Sequence, residues 1–166
     1  MKPAELSHEL RTGDGEHLRA RRRVLGLALG AAGCMGVISL YQMGIVRHLP
    51  EPPIPRLNAD KVDASSEAYA HLNAPDAVLG FASYAATMVL AATGGTDRVQ
   101  TMPWIPLAMA GKVMGDALQA GRLTVDQWTK HRTFCGWCLV AAGLTFATVP
   151  AVLPEARAAW RQVRSR

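Results

Sequence analysis

Long apolar stretches separated by short polar segments dominate the pattern of this chain. Three of these stretches carry no charged residue, and a fourth is uncharged only in its first half. A run of about 20 apolar residues is long enough to cross the hydrocarbon core of a bilayer as an α-helix. The pattern predicts an all-α integral membrane protein, a four-helix bundle with spans at about residues 24–46, 77–96, 102–121 and 133–153.

The third of these spans is the least regular. Its first half, from Met102 to Gly111, is uncharged, but Lys112 and Asp116 follow. These two residues lie four apart, so a helix puts them on one face, where they can form an ion pair. The pair is either a polar wall of a cavity inside the bundle or a pair at the membrane interface, where Lys112 reaches toward the headgroups.

Basic residues concentrate at the two ends of the chain. Of the 18 Lys and Arg residues, six precede the first apolar run and four follow the last. Basic flanks of membrane spans stay in the cytoplasm, so both ends are predicted to be cytoplasmic. The predicted organisation is a cytoplasmic basic tail over 1–23, flexible over 1–20, a membrane domain over 24–154 and a second cytoplasmic basic tail over 155–166.

The composition excludes several classes of protein. Membrane-length apolar runs in a chain of 166 residues exclude an ordinary soluble globule, a disordered chain and a nucleic-acid-binding arm. Three cysteines are too few for a disulfide framework. Arg21–Arg23 faintly resembles a twin-arginine signal, and Cys34 a lipoprotein cleavage site. The first apolar run continues to Val46, however, which is longer than the apolar part of a removable signal.

The first outer loop, residues 47–76, begins with a proline-rich stretch. The prolines between Leu49 and Pro55 prevent a regular helix there. Asp63 is then predicted to be the N-cap of a short helix over 64–72. This helix has one apolar side and is expected to lie on the membrane surface as a lid.

The strongest chemical signal is Phe134-Cys-Gly-Trp-Cys138, at the predicted start of span 4. Two cysteines separated by two residues can form a reversible disulfide. Thr133 is predicted to cap the helix, which puts Cys135 in the first turn, where the helix dipole favours a thiolate. Three residues just before it are expected to add positive charge: Lys130, His131 and Arg132.

Other interpretations of the cysteine pair are weaker. A zinc site needs four ligands, and only Cys135, Cys138 and His131 are close in sequence, so no metal is predicted. Covalent haem attachment needs a histidine directly after the second cysteine, where this chain has Leu139. An inert structural pair is the main alternative. Cys34, alone within span 1, is expected to be a small buried hydrophobe.

The order of these motifs resembles the vitamin K epoxide reductase family over about residues 24–153. The resemblance is carried by Ser39-Leu-Tyr41 late in span 1, by the stretch from Pro75 to Tyr84 that opens span 2, and by the cysteine motif. It implies a quinone, of the ubiquinone or menaquinone type, in a bacterial inner (plasma) membrane. The implied partners are membrane lipid and a separate thioredoxin-like dithiol protein on the outer side, with no nucleic acid.

The resemblance also implies roles for particular residues. Cys138 would be the catalytic cysteine facing the quinone, and Cys135 the catalytic cysteine that exchanges with the partner. Asp76 stands where some members carry an Asn that hydrogen-bonds the quinone carbonyl, so only a protonated Asp76 could donate in this way. The expected cofactor-binding residues are Trp137, Asp76, Phe81 and Tyr84. Trp137 is equally an anchor at the membrane interface.

The chain departs from the family in its first outer loop. Members usually carry two further cysteines there, which shuttle electrons to the pair in span 4. Residues 47–76 contain none, and Ser65 and Ser66 stand about where one is expected. Ala142 also replaces a Tyr that some members use.

The function predicted from these features is a quinone-linked thiol–disulfide oxidoreductase. Electrons would pass from a partner dithiol through Cys135 and Cys138 to a membrane quinone. The alternative is a non-catalytic structural or accessory membrane subunit that kept the fold. A small transporter, with Lys112 and Asp116 in its polar pathway, is the third interpretation.

Overall fold

A computed structural model describes residues 2–70 and 72–165, and these residues form seven α-helices. The helices are α1 (Pro3–Thr12), α2 (Glu16–Gln42), α3 (Ala59–Asp63), α4 (Asp76–Ala92), α5 (Arg98–Thr101), α6 (Trp104–Asp126) and α7 (Gly136–Arg164). A 3₁₀ turn covers Ser66–Tyr69, and a π-helical segment covers Gln127–His131. The described residues form no strand beyond an isolated bridge between Leu57 and Phe134. The all-α prediction is confirmed.

The four longest helices pack side by side. Helix α2 contacts α4 and α7, and α6 contacts α7 and α4. One buried cluster draws residues from all four helices: Val24, Ala91, Met109, Val113 and Val152. Small residues allow close approach, since a Cβ added at Gly80 of α4 would lie 3.0 Å from the sulfur of Met35 on α2.

The two ends of this group of helices differ in what covers them. We call the end covered by residues 43–70, 72–75 and 127–135 the loop end, and the end that carries α1, residues 93–103 and the last turns of α7 the tail end. The loop end holds the cysteine pair, and the tail end holds most of the basic residues.

Two of the described helices are candidate membrane spans. Helices α2 and α7 are long and apolar enough to cross a membrane, by length and composition. Helix α4 is apolar but only 17 residues long. Helix α6 contains Lys112 and Asp116, as the sequence requires. The number of spans therefore stays a prediction, although the apolar helices themselves are confirmed.

Both basic ends are helical, so the prediction of a flexible first tail is wrong. Helix α2 begins at Glu16, upstream of the predicted span. The reason is that Arg21 finds partners at the end of α4, donating to the carbonyls of Ala91 and Gly94 at 2.8 Å each. Helix α7 likewise continues to Arg164 instead of ending with the apolar run.

The first outer loop also differs from its prediction. Asp63 ends helix α3 instead of starting a helix. The N-cap of α3 is Asn58, whose side chain accepts a hydrogen bond from the N–H of Lys61 at 2.9 Å. Of the helix predicted over 64–72, only the 3₁₀ turn forms, and His71 lies outside the described residues. Because Asp63 caps nothing, its carboxylate can turn toward the start of α7.

Candidate functional site

The cysteine pair forms the first turn of α7. Cys135 itself is the N-cap, and its Sγ accepts a hydrogen bond from the N–H of Cys138 at 3.1 Å. The predicted cap, Thr133, instead donates its hydroxyl to the carbonyl of Arg56 at 2.9 Å. Both cysteines are free thiols. Cys135 is 0% exposed, whereas Cys138 is partly exposed, so a reagent meets Cys138 first in this conformation.

The first outer loop covers Cys135 and is tied to α7 by a carboxylate. Glu51 accepts hydrogen bonds from the N–H groups of Gly136 and Ala59, both at 2.5 Å. The side chain of Gln127 accepts from the N–H of Cys135 at 2.9 Å. Exposed N–H groups at a helix N-terminus favour negative charge. In this protein the loop supplies that charge, through Glu51.

A second loop carboxylate lies directly against the sulfur atoms. Asp63 is 3% exposed, and the thiol of Cys138 donates to its Oδ1 at 3.5 Å. Ligating atoms of Asp63, Cys135 and Cys138 all lie within 4.8 Å of one another. Burial raises the pKa of Asp63 to about 6, despite hydrogen bonds from the thiol of Cys135 and then of Cys138 that favour its ionised form.

The positive charge expected beside Cys135 does not gather there. Lys130 pairs with Asp126 at 3.0 Å. Arg132 adopts a left-handed backbone conformation, with φ of 54°, and its guanidinium lies 5.9 Å from the ring centroid of Trp128. The segment before Cys135 is therefore directed away from the sulfur, and a carboxylate occupies that position instead.

A cavity of about 440 Å³ opens beside Cys138. Its walls come from α2, α4, α6 and α7, with α3 and the 3₁₀ turn at the loop end. Apolar atoms make up most of the exposed lining, from residues such as Ile38, Val62, Leu79, Leu123 and Ala141, but about half of the lining residues are polar or charged. The volume lies in the range of small-molecule sites, which combine apolar walls with polar groups that orient the ligand.

Two of the four predicted cofactor-binding residues lie on the cavity wall. Tyr84 lines the cavity, and its hydroxyl shares a hydrogen bond of 2.7 Å with Thr145. Asp76 also lines it and accepts a hydrogen bond from the side-chain amide of Gln42 at 2.8 Å. The structure thus brings Tyr84, Asp76 and Cys138 to one cavity.

The other two predicted residues face elsewhere. Phe81 is 46% exposed and does not line the cavity. The indole N–H of Trp137 donates to the carbonyl of Pro50 at 2.9 Å, and its ring packs against the buried cluster that contains Cys34. Trp137 therefore holds the loop against α7. Cys34 is buried, as expected of a small hydrophobe.

The charged pair predicted on α6 forms and takes part in a polar group. Lys112 Nζ lies 2.5 Å from Asp116 Oδ2 and donates to Ser83 Oγ at 2.9 Å. Ser83 in turn donates to Asp116 Oδ1 at 3.0 Å. Asp116 and Ser83 line the cavity, so the cavity-wall interpretation of this pair holds.

Comparison with known proteins identifies the family. The model of the Vitamin K epoxide reductase family matches residues 22–153, which is most of the chain. The chain belongs to this family. No curated protein and no solved structure gives a significant match. Membership of the vitamin K epoxide reductase family, together with the apolar helices, makes the chain a membrane protein of a thiol–disulfide oxidoreductase family.

Sequence reasoning missed the two loop carboxylates of this family member. Asp63 was expected to be a helix cap, and Glu51 had no predicted role. No sequence signal distinguishes Asp63 from Asp60, since both are acidic residues of the same short helix. Asp60 instead lies at the surface, 2.8 Å from the exposed ring of His48. Only the packing of α3 against α7 decides which carboxylate meets the thiols.

Proposed function

We propose that this chain is a quinone-linked thiol–disulfide oxidoreductase, in which a dithiol partner is oxidised and a ubiquinone- or menaquinone-type quinone is reduced. The observation that carries the proposal is Cys138, which lies on the wall of an apolar cavity of about 440 Å³ and is joined to Cys135 in one helical turn. The cavity offers mainly apolar wall area to a ring, and polar side chains such as Tyr84 and Asp76 at the wall to orient its carbonyl groups.

The chemistry of the chain in this proposal is a reversible conversion of two thiols into a disulfide. When bound, a quinone supplies an acceptor for two electrons and two protons. The S–H bonds of Cys135 and Cys138 break, and one S–S bond forms between them. Two electrons and two protons leave the pair. A partner dithiol then attacks the disulfide, becomes oxidised itself and restores both thiols.

The proposed topology has four spans and cytoplasmic termini in a bacterial inner membrane. Helices α2 and α6 would run outward and α4 and α7 inward, so that the loop end faces the outside. Helix α4, with 17 residues, is about 26 Å long and slightly shorter than a hydrocarbon core of about 30 Å. The concentration of Lys and Arg at the tail end supports this orientation.

Access for a thioredoxin-like partner requires a movement of the loop. Cys135, the expected exchange cysteine, is buried under the residues that Glu51 ties to α7. A protein partner must displace this loop before its thiolate can reach Cys135, because attack on a disulfide needs direct access to a sulfur atom.

The burial of Cys135 also favours a second candidate, a structural or accessory membrane subunit. No loop cysteine is present to carry electrons inward, and the exchange sulfur has no exposed surface. In that case Cys135→Ser and Cys138→Ser would leave the function of the protein intact.

Thiol trapping in membranes distinguishes the two candidates. The full-length protein carrying Cys34→Ala is reduced and washed, and free thiols are alkylated over time with and without an added short-chain ubiquinone. We expect quinone to oxidise Cys135 and Cys138 rapidly, and Cys138→Ser to abolish quinone reduction. If the amount of alkylated Cys135 and Cys138 is the same with and without quinone, the oxidoreductase proposal is contradicted.

A further inference from the structure

The buried carboxylate beside the cysteine pair has a geometry that cap formation and loop packing do not explain. Asp63 is 3% exposed. Its Oδ1 accepts from the thiol of Cys138 at 3.5 Å, and its Oδ2 is buried without a hydrogen-bond partner in the part of the chain that the structure describes. A buried carboxylate with one unsatisfied oxygen costs stability. Asp63 therefore has free capacity to accept a proton, and it lies beside the thiol of Cys138.

We propose that Asp63 takes the proton of the Cys138 thiol when the pair is oxidised and returns it when the disulfide is reduced; this rests on the proposed function above. In the step itself the S–H bond of Cys138 breaks and an O–H bond forms on Asp63. The electron pair stays on sulfur, so the step is an acid–base reaction that needs no further reactant. Asp63 also lines the cavity, and the proton on its carboxyl can leave through that space.

The charges around Asp63 set its proton affinity near the working range. Burial, together with the charges of Asp76 on α4 and Glu51 in the loop, raises its pKa to about 6, against hydrogen bonds from the two thiols that lower it. Helix α2 contributes the amide of Gln42, which donates to the backbone carbonyl of Asp63 at 3.2 Å, and the phenol of Tyr41, which interacts electrostatically with Asp63.

Lys130 and His131 of the π-helical segment also line the cavity. Lys130 pairs there with Asp126 at 3.0 Å, and both basic residues act electrostatically on Glu67 of the 3₁₀ turn. Near pH 7 the carboxylate of Asp63 is mostly ionised and ready to accept, and once protonated it can release the proton again. A general base works best when its pKa lies near the operating pH.

The test compares Asp63→Asn with the unsubstituted carboxylate in the full-length Cys34→Ala protein, using two reactions of Cys138. The first is alkylation by iodoacetamide without quinone, followed from pH 5 to pH 9. The second is disulfide formation on addition of a short-chain ubiquinone at pH 7. Asp60→Asn is the matched control, because it removes the other carboxylate of α3, which lies near His48 and away from the sulfur.

With Asp63 present, we expect the alkylation rate to rise with pH up to about pH 6 and then to level off. Above that pH the ionised carboxylate opposes a second negative charge on the neighbouring sulfur. In Asp63→Asn the rate should continue to rise above pH 6. At pH 8, two units above the levelling point, alkylation of the variant should therefore be faster than that of the parent protein by up to about a hundred-fold. Quinone-driven disulfide formation should be slower by at least about ten-fold, in line with the loss of a general base.

The two reactions are therefore expected to change in opposite directions. If Asp63→Asn speeds both, Asp63 only holds the thiol protonated, and the proposal is overturned. If Asp63→Asn slows both reactions without changing the pH profile, and Asp60→Asn does the same through the loop contact of Asp60 with the N–H of Leu49, the role of Asp63 is structural and the proposal is also overturned. If quinone fails to oxidise the unsubstituted pair, the proposed function fails, while the alkylation profile still tests the contact between Asp63 and Cys138.

Discussion

The ion pair between Arg98 and Glu155 is the most deeply buried charged contact described at the tail end. The two side chains are 0% and 2% exposed. Arg98 donates from Nε to Oε1 at 2.6 Å and from Nη2 to Oε2 at 2.5 Å. Its remaining nitrogen donates to the carbonyls of Leu90 and Thr93 at 2.8 Å each. The pair thus joins α7 to the C-terminus of α4 and to the connection that follows.

Glu155→Gln should destabilise the protein strongly. The substitution removes the negative charge and one of the two acceptor oxygens, and it leaves the guanidinium of Arg98 buried without its counter-charge. Arg21 adds a second guanidinium nearby, since burial and then the charge of Arg98 lower the pKa of Arg21 to about 10. Breaking a buried pair by removing one partner costs about 3–5 kcal/mol. We expect the free energy of unfolding to fall by that amount.

Equilibrium unfolding in mixed micelles, followed by tryptophan fluorescence, measures this change. The control is Asp126→Asn. Asp126 forms a partly exposed ion pair with Lys130, four residues further along the chain, at 3.0 Å. Loss of such an exposed pair should cost at most about 0.5 kcal/mol. A double variant, Arg98→Met with Glu155→Leu, should recover most of the loss, because an apolar replacement of both partners leaves neither of them as an unpaired buried charge, and Arg21 keeps its backbone carbonyl partners. Stability of Glu155→Gln within about 1 kcal/mol of the parent protein would refute this reasoning.

Three further predictions concern the loop end. The raised pKa of Asp63 means that between about pH 4 and pH 6 the folded state holds a proton that the unfolded state has lost, so the contribution of this group to stability should fall by about 3 kcal/mol as pH rises through that window. The contribution is measured as the difference between the parent protein and Asp63→Asn in chemical unfolding, because carboxylates with a lowered pKa, such as Asp60, act equally in both; a difference that rises with pH contradicts the prediction. Glu51→Gln weakens the two hydrogen bonds, from the N–H groups of Gly136 and Ala59, that hold the loop over Cys135. Alkylation of Cys135 by iodoacetamide, followed by mass spectrometry, should become faster by about ten-fold or more; an unchanged rate shows that another contact holds the loop in place. Asp116→Asn leaves Lys112 without its charge partner and should lower stability by about 1–2 kcal/mol, with cysteine alkylation unchanged; altered alkylation would connect this pair to the thiols.

The sequence alone determined the class of the fold and the position of its cysteine pair. Apolar runs of membrane length determine helices, because a backbone in hydrocarbon must satisfy its hydrogen bonds within its own segment. The spacing of Cys135 and Cys138 makes them neighbours on any helix. The spacing of Lys112 and Asp116 likewise predicted their ion pair, which the structure contains. These are properties of single continuous segments, and the two residue pairs lie three and four positions apart in the sequence.

Tertiary packing decided what surrounds those local features. The basic residues next to Cys135 in sequence turn away from it, whereas Asp63 and Glu51 reach it from the distant first outer loop. The helical tail end depends in the same way on Arg21 meeting the end of α4. Charge can be counted along a sequence, but burial and pairing arise only where separate segments pack together. The environment of the thiols is therefore a property of the folded chain.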